Sequence, residues 1–222
     1  MRLPLLLAFL FGISASPTLA QQQDEQLWVK LGASVKLAEK FELELETNQR
    51  FSGDRDGLYE SQYLAALSYE IAEGVTLTGG LNRIVERSDG ETTATEWRPR
   101  QQISFPISRI GPGQLAGRVR VEQRFRSSSN DVGHRVRPEI SYSLPLRKAL
   151  DLEFAHESYF NLNSTDFGQE SGHDRMRNSA ALSFALAKSL KVEVGYMNQY
   201  RFNGDDRDLM EHALTTGLSA SF

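Results

Sequence analysis

Three groups of residues in this 222-residue chain have types and spacings that could do chemistry. The first is arginine at every second position: RVRVEQRFR sets Arg118, Arg120, Arg124 and Arg126 around Glu122, with Arg98 and Arg100 before it and Arg135, Arg137 and Glu139 after it. Arg175 and Arg177 repeat the spacing further on. The second is carboxylate, at the same spacing in Glu42, Glu44 and Glu46 of FELELETNQR and on one face, four residues apart, in Glu153 and Glu157. Guanidinium and carboxylate groups at cross-strand distance pair through charge-assisted hydrogen bonds, so such rows make ladders or, in water, the charged walls of a passage. The third is His156 with Ser158 two residues on, and Asn178 in the following segment. A His base, a Ser nucleophile and an Asn that orients the imidazole follow the triad logic of acyl hydrolysis. The other histidines, at 134, 173 and 212, are far apart in sequence and lack metal-ligand spacing. The chain has no Cys, so thiolate chemistry and disulfides are excluded, and neither a metal nor a cofactor is expected.

Positions two apart share a face only on a β-strand, so the elements that position these groups must be strands. Beyond Gln26 the chain parses as eleven segments of about 10 to 14 residues with this alternation, and no helical period persists. Residues such as Leu43, Leu67, Val119 and Leu182 mark one face, and the charged rows mark the other. The alternation breaks near Arg83-Ile84, where a bulge is expected. Tight turns are read at 38–40, 72–74, 111–113, 146–149 and 187–189, and longer polar loops around 53–57, 87–92, 127–133, 161–173 and 203–208. Centring the 187–189 turn on Lys188 sets Asn178 opposite Asn198, and pairing Phe160 with Asp174 then sets His156 opposite Asn178.

Which face is inside decides the class. Segments this long exceed the five or six residues usual in soluble sheets and match the roughly 9 to 11 needed to cross a tilted bilayer. Aromatics gather near the segment ends, with Phe51, Tyr59, Trp97, Phe125, Phe160 and Tyr200 towards the long loops and Phe41, Tyr69, Phe105, Tyr142 and Phe222 towards the short turns, as in two interfacial girdles. A secreted β-sandwich would alternate too, but its polar face would mix Ser, Thr and Lys rather than repeat Arg and Glu on successive strands. The expected fold is therefore all-β, a transmembrane antiparallel up-and-down β-barrel of about 10–12 strands with the charges in the lumen. Eleven up-and-down strands conflict with the even counts of bacterial barrels, so either a strand is miscounted or residues 21–26 thread the lumen.

The N-terminus, MRLPLLLAFLFGISASPTLAQQQ, has the layout of a secretory signal cleaved near Ala20, with an apolar run too short to span a membrane as a helix. Residues 1–20 are read as that signal and 21–222 as one barrel domain exported to the outer membrane of a Gram-negative bacterium. The formal net charge of -4 gives no reason to expect nucleic acid. Expected partners are outer-membrane lipids, lipopolysaccharide and the barrel-insertion machinery; the oligomeric state stays open.

The runs ETNQR, EWRPRQQISF, RVRVEQRFR, RVRPEISYSLPL, EFAHESYF and DRMRNSAALSFALAKSLKVEVGYMNQY, in that order, resemble the bacterial proteins grouped as domain of unknown function 2490. That resemblance implies an outer-membrane barrel and carries over no catalytic residue. The terminal Phe222 resembles the insertion signal of outer-membrane proteins. His156, Ser158 and Asn178 are similar in arrangement to the site of outer-membrane phospholipase A and of lipid A deacylase, although HESYF departs from their pattern of His-x-Ser followed by Asn. Three functions follow as expectations: a narrow diffusion channel with a charged lumen, a structural or partner-binding barrel, and a lipid acyl hydrolase.

Overall fold

A computed structural model describes residues 22–55, 57–202 and 208–222. The strands are β1 (Gln22–Ala38), β2 (Phe41–Ser52), β3 (Gly57–Ala72), β4 (Val75–Ser88), β5 (Glu91–Ile110), β6 (Gly113–Arg126), β7 (Val132–Arg147), β8 (Leu150–Asn161), β9 (Gly172–Ala187), β10 (Leu190–Arg201) and β11 (Leu209–Ser221). They form one closed barrel in sequence order. All ten consecutive pairs are antiparallel. The seam departs from the all-antiparallel expectation. An odd number of up-and-down strands leaves the first and last pointing the same way, so β1 and β11 pair in parallel from Gln22↔Leu209 to Ser34↔Ser221. The parallel seam removes both explanations of the odd count: eleven strands stand among the described residues, and Gln22–Gln26 belongs to the wall rather than threading the lumen. Gln21 and the expected signal segment lie outside the described residues.

The alternation is inverted relative to a soluble protein. Leu31, Leu45, Leu67, Leu81, Val119, Ile140 and Leu214 are exposed on the outer wall, while the buried positions are mostly polar or charged. Apolar burial inside is confined to small groups such as Trp28, Met197 and Ala213. Closure pairs every strand edge, the condition under which such an apolar outer wall could face hydrocarbon, which an open sheet cannot meet.

Several local expectations are corrected. β4 keeps its pairing through 83–84: Ile84 is fully buried inside, and Arg83 lies outside over the Trp97 ring at 4.7 Å. The register shift falls later, between Glu86 and Arg87. The 87–92 stretch is a tight hairpin rather than a longer loop, because Asp89 (φ 53°) and Gly90 (φ 78°) supply the two left-handed residues of such a turn. That lets β5 run for 20 residues, beyond the 10 to 14 anticipated. Tyr59 leaves the girdle: a register shift beside it turns its ring inward, where its hydroxyl donates to Gln26 Oε1 at 2.7 Å. Phe160 pairs with His173 instead of Asp174, and a second shift beside it brings His156 opposite Asn178.

Candidate functional site: the charged lumen and the outer wall

Among the described residues the lumen shows two chambers. The one towards the long loops has a volume of about 610 Å³, and the one towards the short turns about 370 Å³. Trp28, Lys30, Asn48, Glu139, Glu157 and Arg177 border both, so they form the neck between them. Trp28 is held there by Arg50 at 3.7 Å and Arg177 at 4.9 Å over its ring, and its Nε1 donates to Gln26 Oε1 at 2.7 Å.

Every charge named in the lumen rows projects inward from its strand, but the rows do not pair evenly. Arg137 donates to Glu122 at 2.6 Å, to Glu157 at 2.9 Å and to the Tyr159 hydroxyl at 2.7 Å. Arg124 grips Glu96 with two bonds of 2.9 and 2.8 Å, and Arg98 takes the same carboxylate at 2.7 Å. Arg118 bridges Glu139 and Glu157. Arg135 relies on Asn161 at 2.8 Å, with Asp174 at 3.8 Å, while Arg175 bonds Asp174. Glu153 takes Lys191 at 3.0 Å near the short turns, Glu44 accepts from Ser68, and Glu42 is exposed. Glu46 faces the larger chamber.

Four guanidinium groups surround the single Tyr159 ring, Arg137 at 4.2 Å, Arg177 at 4.8 Å, Arg135 at 5.5 Å and Arg175 at 5.6 Å. The negative face of an aromatic ring lowers the cost of crowding these like charges. Even so, cations are left over. Among the described residues no carboxylate lies within 4.0 Å of Arg100 or Arg177, and Arg120, directly opposite Arg137, is held mainly by Gln102 at 2.9 and 2.7 Å. Arg100 is nearly buried, faces the larger chamber, and its Nε has no hydrogen-bond partner. That chamber is lined by 12 Arg and Lys30 against seven carboxylates, a balance of +6. Counting the buried Glu96, Glu122 and Glu211 behind the arginines leaves it at +3. The smaller chamber is lined by two bases, Lys30 and Arg177, and four acids, Glu139, Glu153, Glu157 and Glu193, but Arg118 and Arg137 pair with Glu139 and Glu157 and Lys191 with Glu153, so it is close to neutral.

The loop between β8 and β9 is expected at 161–173, but spacing does not reveal that it folds over the chamber mouth. Gln169 is buried, accepts from Arg124 at 3.1 Å and donates to the Asn163 carbonyl at 2.9 Å, and Phe167 lies 5.2 Å from the Arg124 guanidinium. Gly133 permits this approach: a Cβ there would stand 2.7 Å from the Gln169 amide oxygen. Trp28 and Tyr159 were also missed, although each shares strand parity with charged inward neighbours, Lys30 and Glu157.

On the outer wall, Asn178 Oδ1 lies 2.8 Å from His156 Nδ1, and His156 Nε2 lies 3.3 Å from Ser158 Oγ. Phe222 is 75% exposed at the short-turn end, and its backbone closes the seam by donating to the Ser34 carbonyl at 2.9 Å and accepting from the Lys36 amide at 3.0 Å.

The family model described as protein of unknown function (DUF2490) matches residues 25–210. The chain belongs to the DUF2490 family. An uncharacterized protein of Methylorubrum extorquens is 27% identical over 201 residues, which is 88% of this chain and 87% of that one. Among solved structures, that of the NanC porin superposes with a TM-score of 0.53 at 12% identity, covering 85% of this DUF2490 chain and 94% of the porin. At that identity the likeness bears on the fold, a porin-like closed barrel.

Proposed function

We propose that this DUF2490 protein is a narrow diffusion channel of a Gram-negative outer membrane whose larger chamber gathers small anions ahead of the Trp28 and Arg177 neck. The porin-like fold and the apolar outer wall support the location, and signal cleavage near Ala20 would deliver the chain there. The observation that carries the reading is the surplus of guanidinium charge around about 610 Å³ of lumen, with Arg100 aimed into it and lacking a carboxylate. A low-dielectric wall focuses such a field and raises the local concentration of counter-ions. Ladders that only braced a shut barrel would neutralise each arginine. A small eleven-stranded barrel is also narrower than the 16- to 18-stranded porins with wide aqueous channels.

The test is solute entry into vesicles carrying the folded barrel. A small dicarboxylate should enter faster than an alkylammonium ion of similar size. Equal entry contradicts the anion preference, and no entry of either would make the barrel a structural or partner-binding one.

A further inference from the structure

We propose that Ser158, His156 and Asn178 form an acyl-ester hydrolysis site on the lipid-facing wall, independent of the lumen. The donor order follows from chemistry. Asn178 Oδ1 can only accept, so the 2.8 Å contact fixes the proton on His156 Nδ1. Nε2 then carries the lone pair and accepts from the Ser158 hydroxyl at 3.3 Å, the loose spacing usual before substrate binds. Nucleophile, base and orienting group thus stand in the sequence that acyl transfer needs. Two strands hold it: His156 and Ser158 are alternate residues of β8, and Asn178 is the register partner of His156 on β9.

Depth selects the substrate. Two residues past Ser158, Phe160 stacks on His173 at 4.6 Å, and His173 meets Phe202 at 4.5 Å, an aromatic group at the long-loop end of the wall. Aromatic girdles sit at headgroup level. At about 3.4 Å per residue and a tilt of about 40°, Ser158 lies about 5 Å deeper, where the ester carbonyls of lipids begin. The polar row continues across the wall through Asn198 to His212, which bonds the Tyr196 hydroxyl, so this sector offers hydrogen bonds where hydrocarbon would offer none. The substrate class is an ester-linked fatty acyl chain presented from the outer leaflet.

In the reaction Ser158 Oγ bonds to the carbonyl carbon while its proton passes to His156 Nε2. The bond from that carbon to the alcohol oxygen breaks, and the alcohol leaves with the proton. Water then attacks the acyl-serine, gives its proton to Nε2, and the fatty acid departs as Ser158 Oγ is reprotonated. The sum is ester plus water to acid plus alcohol.

The experiment uses the folded barrel in detergent with a fluorophosphonate probe, located by peptide mass spectrometry. It then follows fatty-acid release from vesicles of phosphatidylethanolamine, with or without an ester-acylated glucosamine lipid. Labelling at Ser158 is expected to vanish in Ser158→Ala and to slow by about 100-fold in His156→Ala, the scale of a lost general base. Asn178→Asp should label faster than Asn178→Ala, since a carboxylate also accepts from Nδ1. Release only when the acylated glucosamine lipid is present assigns that lipid as the source, and equal release from both vesicle types assigns the phospholipid. Labelling indifferent to His156, or release equal in wild type and Ser158→Ala, overturns the site. Heat-modifiable migration checks that each variant is folded, and unchanged solute entry separates this outcome from the channel reading.

Discussion

Arg100 is the residue at which the electrostatics of the lumen can be read most cleanly. It has no carboxylate within 4.0 Å among the described residues, so Arg100→Gln breaks no ion pair, whereas Arg100→Glu sets a carboxylate opposite buried Glu122. A chamber of about 610 Å³ treated as a sphere has a radius of about 5 Å, which puts an anion at its centre about 6 Å from a wall charge. Through water each unit charge at that distance is worth about 0.7 kcal/mol, and screening at ~0.1 M salt reduces it to about 0.4 kcal/mol. Arg100→Gln, one unit lost, should therefore lower anion occupancy by about twofold, and Arg100→Glu, two units, by about fourfold. The assay is the reversal potential of the folded barrel in planar bilayers under a salt gradient. It should move towards zero in two graded steps, while both variants stay heat-modifiable and the unfolding midpoint of Arg100→Gln stays near wild type. A reversal potential unmoved by both variants would refute the assignment of Arg100 to the conduction path.

Arg137 should behave in the opposite way. Arg137→Met leaves Glu122 buried with only Arg120 at 3.9 Å and Arg98 at 4.0 Å, and breaking a buried pair costs about 3–5 kcal/mol. Adding Glu122→Gln should recover part of that loss, read from urea unfolding in lipid vesicles; a variant as stable as wild type would show that the ladder does not brace the barrel. Replacing both Phe167 and Gln169 by Ala should uncover the chamber mouth and raise single-channel conductance with little change in selectivity, and an unchanged conductance would remove the loop from the path. With the surplus cations confined to the long-loop end and the short-turn end close to neutral, the anions gathered in the larger chamber move inward when the long-loop side is negative. Current should be larger at that polarity than at its reverse, and a symmetric current-voltage curve contradicts the segregation. Protein extracted from its native membrane should have the intact mass of a chain beginning at Gln21; a chain retaining residues 1–20 would refute cleavage near Ala20.

Period-two alternation made the barrel legible, because any other register would put Leu45 or Leu67 among the arginines. The seam was not legible: whether β1 and β11 join in parallel depends on both chain ends, and no local spacing encodes that. Ile84 misled because an apolar residue at an inward position looks like a slip of register, whereas in this lumen it packs among polar neighbours without one. Asp89-Gly90, a strong hairpin signal, was hidden within a polar run that looked like a loop. For the lumen, the sequence named the charged residues. Pairing is a property of three dimensions, so the concentration of arginine at one end, the Trp28 neck and the folding of Gln169 over the mouth appear only in the structure. His156, Ser158 and Asn178 met by a different route from the one anticipated, since the register shift beside Phe160 compensates for its pairing with His173.

The central claim, a passage through the barrel whose larger chamber carries surplus guanidinium charge, is tested most directly by single-channel recording of the folded protein in planar bilayers under a salt gradient. Small discrete steps with an anion-selective reversal potential are the expected result. A correctly folded barrel that inserts and stays silent, or one that favours cations, would contradict it.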